Sequence, residues 1–141
     1  MYSRAHGVIS LAIGIGLVAV GVEWLHPLAV VGYAVAIGVG IDVDHFLIAR
    51  YNTGSWRALR YVLSNPRRAL GDQSTIFDPD DLGPFERLLS HVAIVGVTVP
   101  GTWLVDPSLG VITAVTLYGH VLSDLVADVR QFDAHERGES L

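Results

Sequence analysis

The chain has 141 residues, enough for about one domain. Hydrophobic residues make up 51%, charged residues 16%, and mean hydropathy is +0.47, whereas soluble domains carry about 25% charge. That apolarity excludes a disordered chain, the lack of cysteine excludes disulfide scaffolds and Cys-based zinc fingers, and a net charge of −5 argues against nucleic-acid binding, which wants a basic face.

A membrane protein is what remains. All nine basic residues are Arg, and Asp outnumbers Glu ten to four. Arg always keeps its charge and is more weakly hydrated than Lys. An acidic, Lys-free composition is similar to that of proteins from halophilic archaea; GC-rich codon bias is the alternative source.

Four apolar runs follow in chain order: Gly7 to Leu25, Pro27 to Ile41, Leu88 to Val105 and Leu109 to Ala127. Each approaches the roughly 20 residues that span a bilayer core, the second only if it continues through Asp42 and His45. The break between the first two holds Glu23, Trp24 and His26. Asp106-Pro107-Ser108 suits a tight turn, with Asp as N-cap and Pro at the first helical position. The expected fold is all-α: one integral membrane domain over residues 1–141, a four-helix bundle with helices at about 6–25, 27–49, 86–105 and 108–129. Two alternatives exist. Arg4 and Ala19-Val20-Gly21 also suit a cleaved signal peptide, and the runs could be buried helices of a soluble protein, although they leave little polar surface. Gly32, Ala36 and Gly40 recur every four residues, a stripe that allows close helix approach in lipid, with Gly14 and Gly21 as facing positions.

Arginine sets the orientation. With four spans, Arg4, then Arg50, Arg57, Arg60, Arg67, Arg68 and Arg87, and finally Arg130 and Arg137 all fall on one side, and the two opposite loops have none. The positive-inside rule then places both termini in the cytoplasm of a multi-pass cell-membrane protein. The long cytoplasmic loop, about 51–84, begins with Ser55 to Leu63, where Trp56, Leu59, Tyr61 and Val62 mix with Arg57 and Arg60, a pattern for a helix in the headgroup region. Its acidic part, Asp72 to Asp81, ends in Asp78-Pro79-Asp80-Asp81, and reads equally as a linker or as a lid.

Ionisable residues within spans are expensive and default to function. His6 opens the first helix, Asp42, Asp44 and His45 close the second, Glu86 and His91 open the third, and His120, Asp124 and Asp128 lie late in the fourth. In the expected topology all share one layer, while His26 lies at the opposite end. His120 and Asp124 are four apart and Asp42 and His45 three apart, so each pair shares a helix face. Several carboxylates around one point repel unless a cation sits among them. Imidazole with carboxylate suits a divalent metal, zinc first, with manganese or iron as alternatives. The expected metal ligands are His6, Asp42, Asp44, His45, His91, His120 and Asp124, around one ion or a carboxylate-bridged pair. A lone histidine or a terminal Asp has ordinary structural uses; agreement among four helices is what favours a site. No G-x-S-x-G elbow, P-loop or H-E-x-x-H is present. Ser123 lies between His120 and Asp124, but adjacent helical residues point apart, which argues against a Ser triad.

The pattern resembles the small membrane-bound metal-dependent hydrolases regulated by the SOS repressor in some bacteria. Their motifs read here as Ala5-His6-Gly7, Asp42-Val43-Asp44-His45, Glu86-Arg87-Leu88-Leu89-Ser90-His91-Val92 and Gly119-His120-Val121-Leu122-Ser123-Asp124. Glu86 stands where that family has His, Ser90 where it has Thr, and Ile41 where it has Pro. The family in turn is similar to zinc-dependent phospholipases C. The resemblance implies a hydrolase acting on a phosphoester such as an anionic lipid headgroup in the bilayer, with Asp44 or Glu86 as general base and Arg87 neutralising phosphate charge. The alternatives are a non-enzymatic metal-binding or transport protein and a structural membrane module.

Overall fold

The computed structural model describes residues 3–22, 26–67, 75–78 and 80–137, and Glu23, Trp24, Arg68, Asp72 and Pro79 lie outside the described residues. Those that are described form helices and turns, with no strand among them. The first helix, α1, is Ser3–Ala19. It stops short of the expected residue 25 because Gly21 takes a left-handed φ of 82°. The Gly21 amide then bonds the Val18 carbonyl (3.1 Å) and the Val22 amide the Leu17 carbonyl (2.9 Å), the paired closure of a Schellman end.

His26 caps the next helix, its Nδ1 accepting from the Leu28 amide at 3.2 Å, and Pro27 opens it. Helix α2 (Pro27–Gly40) passes through a single 3₁₀ turn, Ile41–Val43, into α3 (Asp44–Thr53). The apolar span therefore runs from Pro27 to Thr53, 27 residues, carrying Asp42 and His45 within it. Gly54, with φ 69°, ends it. A short amphipathic helix follows, α4 (Arg57–Ser64), which buries Ala58. Gly83 and Pro84 start α5 (Pro84–Val105). The Asp106 carboxylate accepts from the Leu109 amide at 2.9 Å and so caps α6 (Pro107–Glu136).

Three of these stretches are long and apolar enough to cross a membrane: Pro27–Thr53, Pro84–Val105 and Pro107–Ala134. Apolar α1 is shorter, 17 residues, about 25 Å at the helical rise. Large apolar side chains face outward along them, with Leu28, Val97 and Leu104 at least three-quarters exposed, as a lipid solvent allows.

Helix α1 packs on α2 and α6, α2 on α6, and α5 on α6. Away from the titratable residues the core is Leu17, Val30, Ala34 and Ile112, beside a Tyr33–Thr113 hydroxyl pair at 2.8 Å. The packed face of α2 is Val30, Ala34 and Gly38, not the expected Gly32, Ala36 and Gly40, which are exposed. The reason is steric: a Cβ on Gly38 would come within 2.9 Å of Ser10 Cβ and 3.0 Å of Thr116 Cγ2, whereas Gly32 and Gly40 face open space. Gly14 does meet α2, since a Cβ there would lie 2.9 Å from the Val31 Cα.

The segment before α5 folds back on the preceding helices. Ile76 and Phe77 are buried with Ala49 of α3 and Ala58 of α4. Arg57 holds this segment by pairing with Asp78 (2.7 Å) and with buried Asp81 (2.5 Å). Phe77 also sets its ring edge-on to His45, with centroids 5.9 Å apart.

Candidate metal centre

Four segments, distant in sequence, bring their ionisable side chains to one buried place. His6 comes from the start of α1, Asp42 from the 3₁₀ turn, Asp44 and His45 from the first turn of α3, His91 from α5, and His120 and Asp124 from α6. The four imidazoles are each about 1% exposed. The helical spacing that predicts shared faces holds: His120 Nε2 lies 3.4 Å from Asp124 Oδ2, and His45 Nε2 lies 3.6 Å from Asp42 Oδ1.

Two overlapping groups have ligand atoms within 4.8 Å of one another. One is His6, Asp42, His120 and Asp124; the other is Asp42, His45 and His91. Within the first, His6 Nε2 is 3.2 Å from Asp124 Oδ1 and His120 Nε2 is 3.3 Å from Asp42 Oδ1. Within the second, the Nε2 atoms of His45 and His91 are 3.2 Å apart, and His91 Nε2 is 3.8 Å from Asp42 Oδ1. Asp44 lies alongside, its Oδ1 3.4 Å from His91 Nε2 and 3.7 Å from His45 Nε2, while its Oδ2 accepts the Ser90 hydroxyl.

Buried polar atoms are normally hydrogen-bonded. Here both oxygens of Asp42, Oδ1 of Asp44 and Nε2 of His120 are buried without a hydrogen bond. Such atoms, clustered and facing one another, fit a cation better than they fit each other. This buried His/Asp group could hold a metal ion.

The orientation of the imidazoles supports the same fit. His120 Nδ1 is 2.7 Å from the Gly38 carbonyl, which can only accept, so this nitrogen carries a proton and the ring is turned with Nε2 toward the cluster. Ser123 gives its hydroxyl proton to the His120 carbonyl at 2.7 Å and so presents its oxygen to His6 Nδ1 at 3.4 Å. His6 is thereby turned with Nε2 toward Asp124. Ser123 and Gly38 are missed by a reading of the sequence alone. Ser123 directly precedes one expected ligand, Asp124, and lies three residues after another, His120, but the Gly38 carbonyl has no sequence signal.

Two expected catalytic residues take different places. Arg87 is buried beside the cluster, its Nη2 on Asp128 at 2.5 Å and its Nε 3.9 Å from Asp124 Oδ2. It lines a cleft of about 430 Å³ with Leu82, Gly83, Pro84, Asp128, Gln131 and Phe132. Glu86, in contrast, is not brought to the cluster. It is exposed, and its Oε2 accepts from Asn52 Nδ2 (2.6 Å) and from the Gly83 amide (3.2 Å). As the third residue of α5 its carboxylate caps the helix start, and that bond directs it away from the buried imidazoles.

Compared with family models, curated proteins and solved structures, the chain matches none.

Proposed function

We propose that this chain is a four-span membrane protein with both termini in the cytoplasm, and that its buried cluster serves metal-dependent hydrolysis of a phosphoester such as an anionic lipid headgroup. The observation that carries this reading is the convergence of four imidazoles and three carboxylates, several without hydrogen bonds, at one buried point. Zinc suits the mixed nitrogen and oxygen donors best. A divalent ion there supplies a water acidified toward neutrality and a Lewis acid for the phosphoryl oxygens.

The remaining steps fall to the chain's own side chains. Asp44, oriented by Ser90, presents Oδ1 beside the imidazole donors as the group to accept a proton. Arg87, fixed by Asp128, offers its guanidinium at the wall of the cleft, where it would face the phosphate. Leu82, Pro84 and Phe132 give the same cleft an apolar wall, which suits an amphiphile. Of the departures from the hydrolase family that the motifs resemble, Ser90 keeps the hydroxyl that Thr would supply, and Glu86 falls at a position outside the cluster.

The proposed orientation rests on the arginines. Those described lie on α1's first turn, on α3 to the first turn of α5, or late in α6 and just past its end, which is the end of the helices that holds the cluster. Reporter fusions at residues 1 and 141 should report the cytoplasm and a fusion at residue 26 the outside. Purified protein should carry bound divalent metal and release headgroup phosphate from anionic lipid in mixed micelles. Metal-loaded protein inert toward both lipid and water-soluble phosphoesters would leave a metal-binding protein without this activity.

A further inference from the structure

We propose that the cluster takes two divalent ions of unequal coordination, joined by Asp42, and that the ion on the His45–His91 side keeps the open position. The inference rests on the metal reading above and adds the number and division of labour of the ions.

The first group is complete by itself. His6, Asp42, His120 and Asp124 supply four donor atoms, the number a closed zinc site uses. Their separations of 3.2, 3.3 and 3.4 Å are long for charge-assisted hydrogen bonds, which run about 2.7–2.9 Å. The two that meet at His120 Nε2, 3.3 Å from Asp42 Oδ1 and 3.4 Å from Asp124 Oδ2, match the edge of a tetrahedron with bonds near 2.0–2.1 Å, about 3.4 Å, while His6 faces the other oxygen of Asp124. Both imidazoles of this group have the other nitrogen engaged, His120 by the Gly38 carbonyl and His6 by Ser123.

One ion placed there leaves His45 and His91 satisfied only by the hydrogen bond between their own Nε2 atoms. His45 and His91 would still point two buried Nε2 atoms at each other across 3.2 Å, with Asp42 Oδ1 3.6 and 3.8 Å away. Four-coordinate zinc cannot also take these two nitrogens. A second ion at His45, His91 and Asp42 accounts for both. Asp42 can serve both ions because Oδ1 faces imidazoles of each group and neither of its oxygens has a hydrogen bond.

Three protein ligands and a free fourth position is the arrangement of catalytic rather than structural zinc. Asp44 lies outside both groups but within 3.4 Å of His91 Nε2, with its other oxygen held by Ser90. It therefore stands next to the open position as a proton acceptor. The ring of Phe77 borders His45 from the other side. The His6 group is the anchoring site, and the His45 group is the reacting one.

Cobalt(II) titration of the metal-free full-length protein in detergent tests this, with bound metal counted by elemental analysis and the visible spectrum followed throughout. Two equivalents are expected, and azide should shift the bands of one of them. His45→Ala and His91→Ala should each bind one equivalent with a spectrum that azide does not change, while circular dichroism and gel filtration stay those of the wild type. Either variant suffices if the other fails to assemble. A wild type that saturates at one equivalent would overturn the two-ion site and keep the metal reading. Two equivalents whose spectra both ignore azide would overturn the open position. A wild type that binds no cobalt, zinc or manganese would overturn the metal reading itself.

Discussion

Where α1 stops and α2 begins, Leu17, Val30, Ala34 and Ile112 pack together beside one neutral hydroxyl pair. At the other end of the same helices, His6, His45, His91 and His120 meet Asp42, Asp44 and Asp124, with both oxygens of Asp42, Oδ1 of Asp44 and Nε2 of His120 outside any hydrogen bond. The helices are continuous between the two ends, so helix propensity cannot distinguish them. The difference lies in what their neighbours satisfy. The apolar end is complete without any further component. The polar end gathers three carboxylates in a buried place, which is costly unless cationic groups offset their charge. One end holds the helices together, and the other uses that framework to keep an unfavourable constellation in place.

Substitutions at the two ends should therefore separate metal retention from stability. The largest effect is expected for Asp124→Asn, which keeps the volume and removes the charge. Chelator competition should show a loss of metal affinity beyond the roughly 10–100-fold typical of outer-shell partners, with helicity retained. Ile112→Ala, at a position with no exposure, should do the opposite. It should lower the free energy of unfolding in detergent by about 2–5 kcal/mol with metal affinity unchanged. A parallel fall in metal affinity would show that the two ends are not separable.

Gly38→Ala couples them. The added methyl must displace Ser10 and Thr116, costing about 1–3 kcal/mol by overpacking. It also moves the carbonyl that orients His120, so stability and metal affinity should fall together. Ser123→Ala removes the acceptor for His6 Nδ1 and a local bond to the His120 carbonyl within the same helix, and about a 10-fold loss of metal affinity is expected, with the melting temperature nearly constant. The smallest effect belongs to Glu86→Ala. Loss of the cap on α5 should cost about 1 kcal/mol and leave bound metal at the wild-type level. Metal loss in this variant would return Glu86 to the site.

Much of the polar end is legible in the sequence. His6, Asp42, Asp44, His45, His91, His120 and Asp124 stand out because each is a costly residue in an apolar run, and i+3 and i+4 spacing aligns their faces. The role of Glu86 was also written locally, in Gly83-Pro84 followed by Glu at the third helical position. The resemblance of its segment to a metal motif points the other way. The contacts between distant segments were not legible. No spacing rule connects Gly38 with His120, 82 positions on, or Phe77 with His45. The packed face of α2 is likewise decided by Ser10 and Thr116, which sit on other helices.

The distribution of ligands along the chain bears on how the molecule is assembled. His6, Asp42 and His45 belong to the hairpin of α1 with α2 and α3, while His91, His120 and Asp124 belong to the hairpin of α5 and α6. Both ligand groups draw from both hairpins, so neither hairpin alone can hold an ion in either of them. Helices that insert independently and associate afterwards would meet the ion last, as a clasp closed across two preformed halves. Metal capture would then be coupled to the docking of the hairpins rather than to the formation of any helix. A chain cut within the connection before α5 would test this directly, since the ion should tighten the association of two halves that already share the core of Leu17, Val30, Ala34 and Ile112.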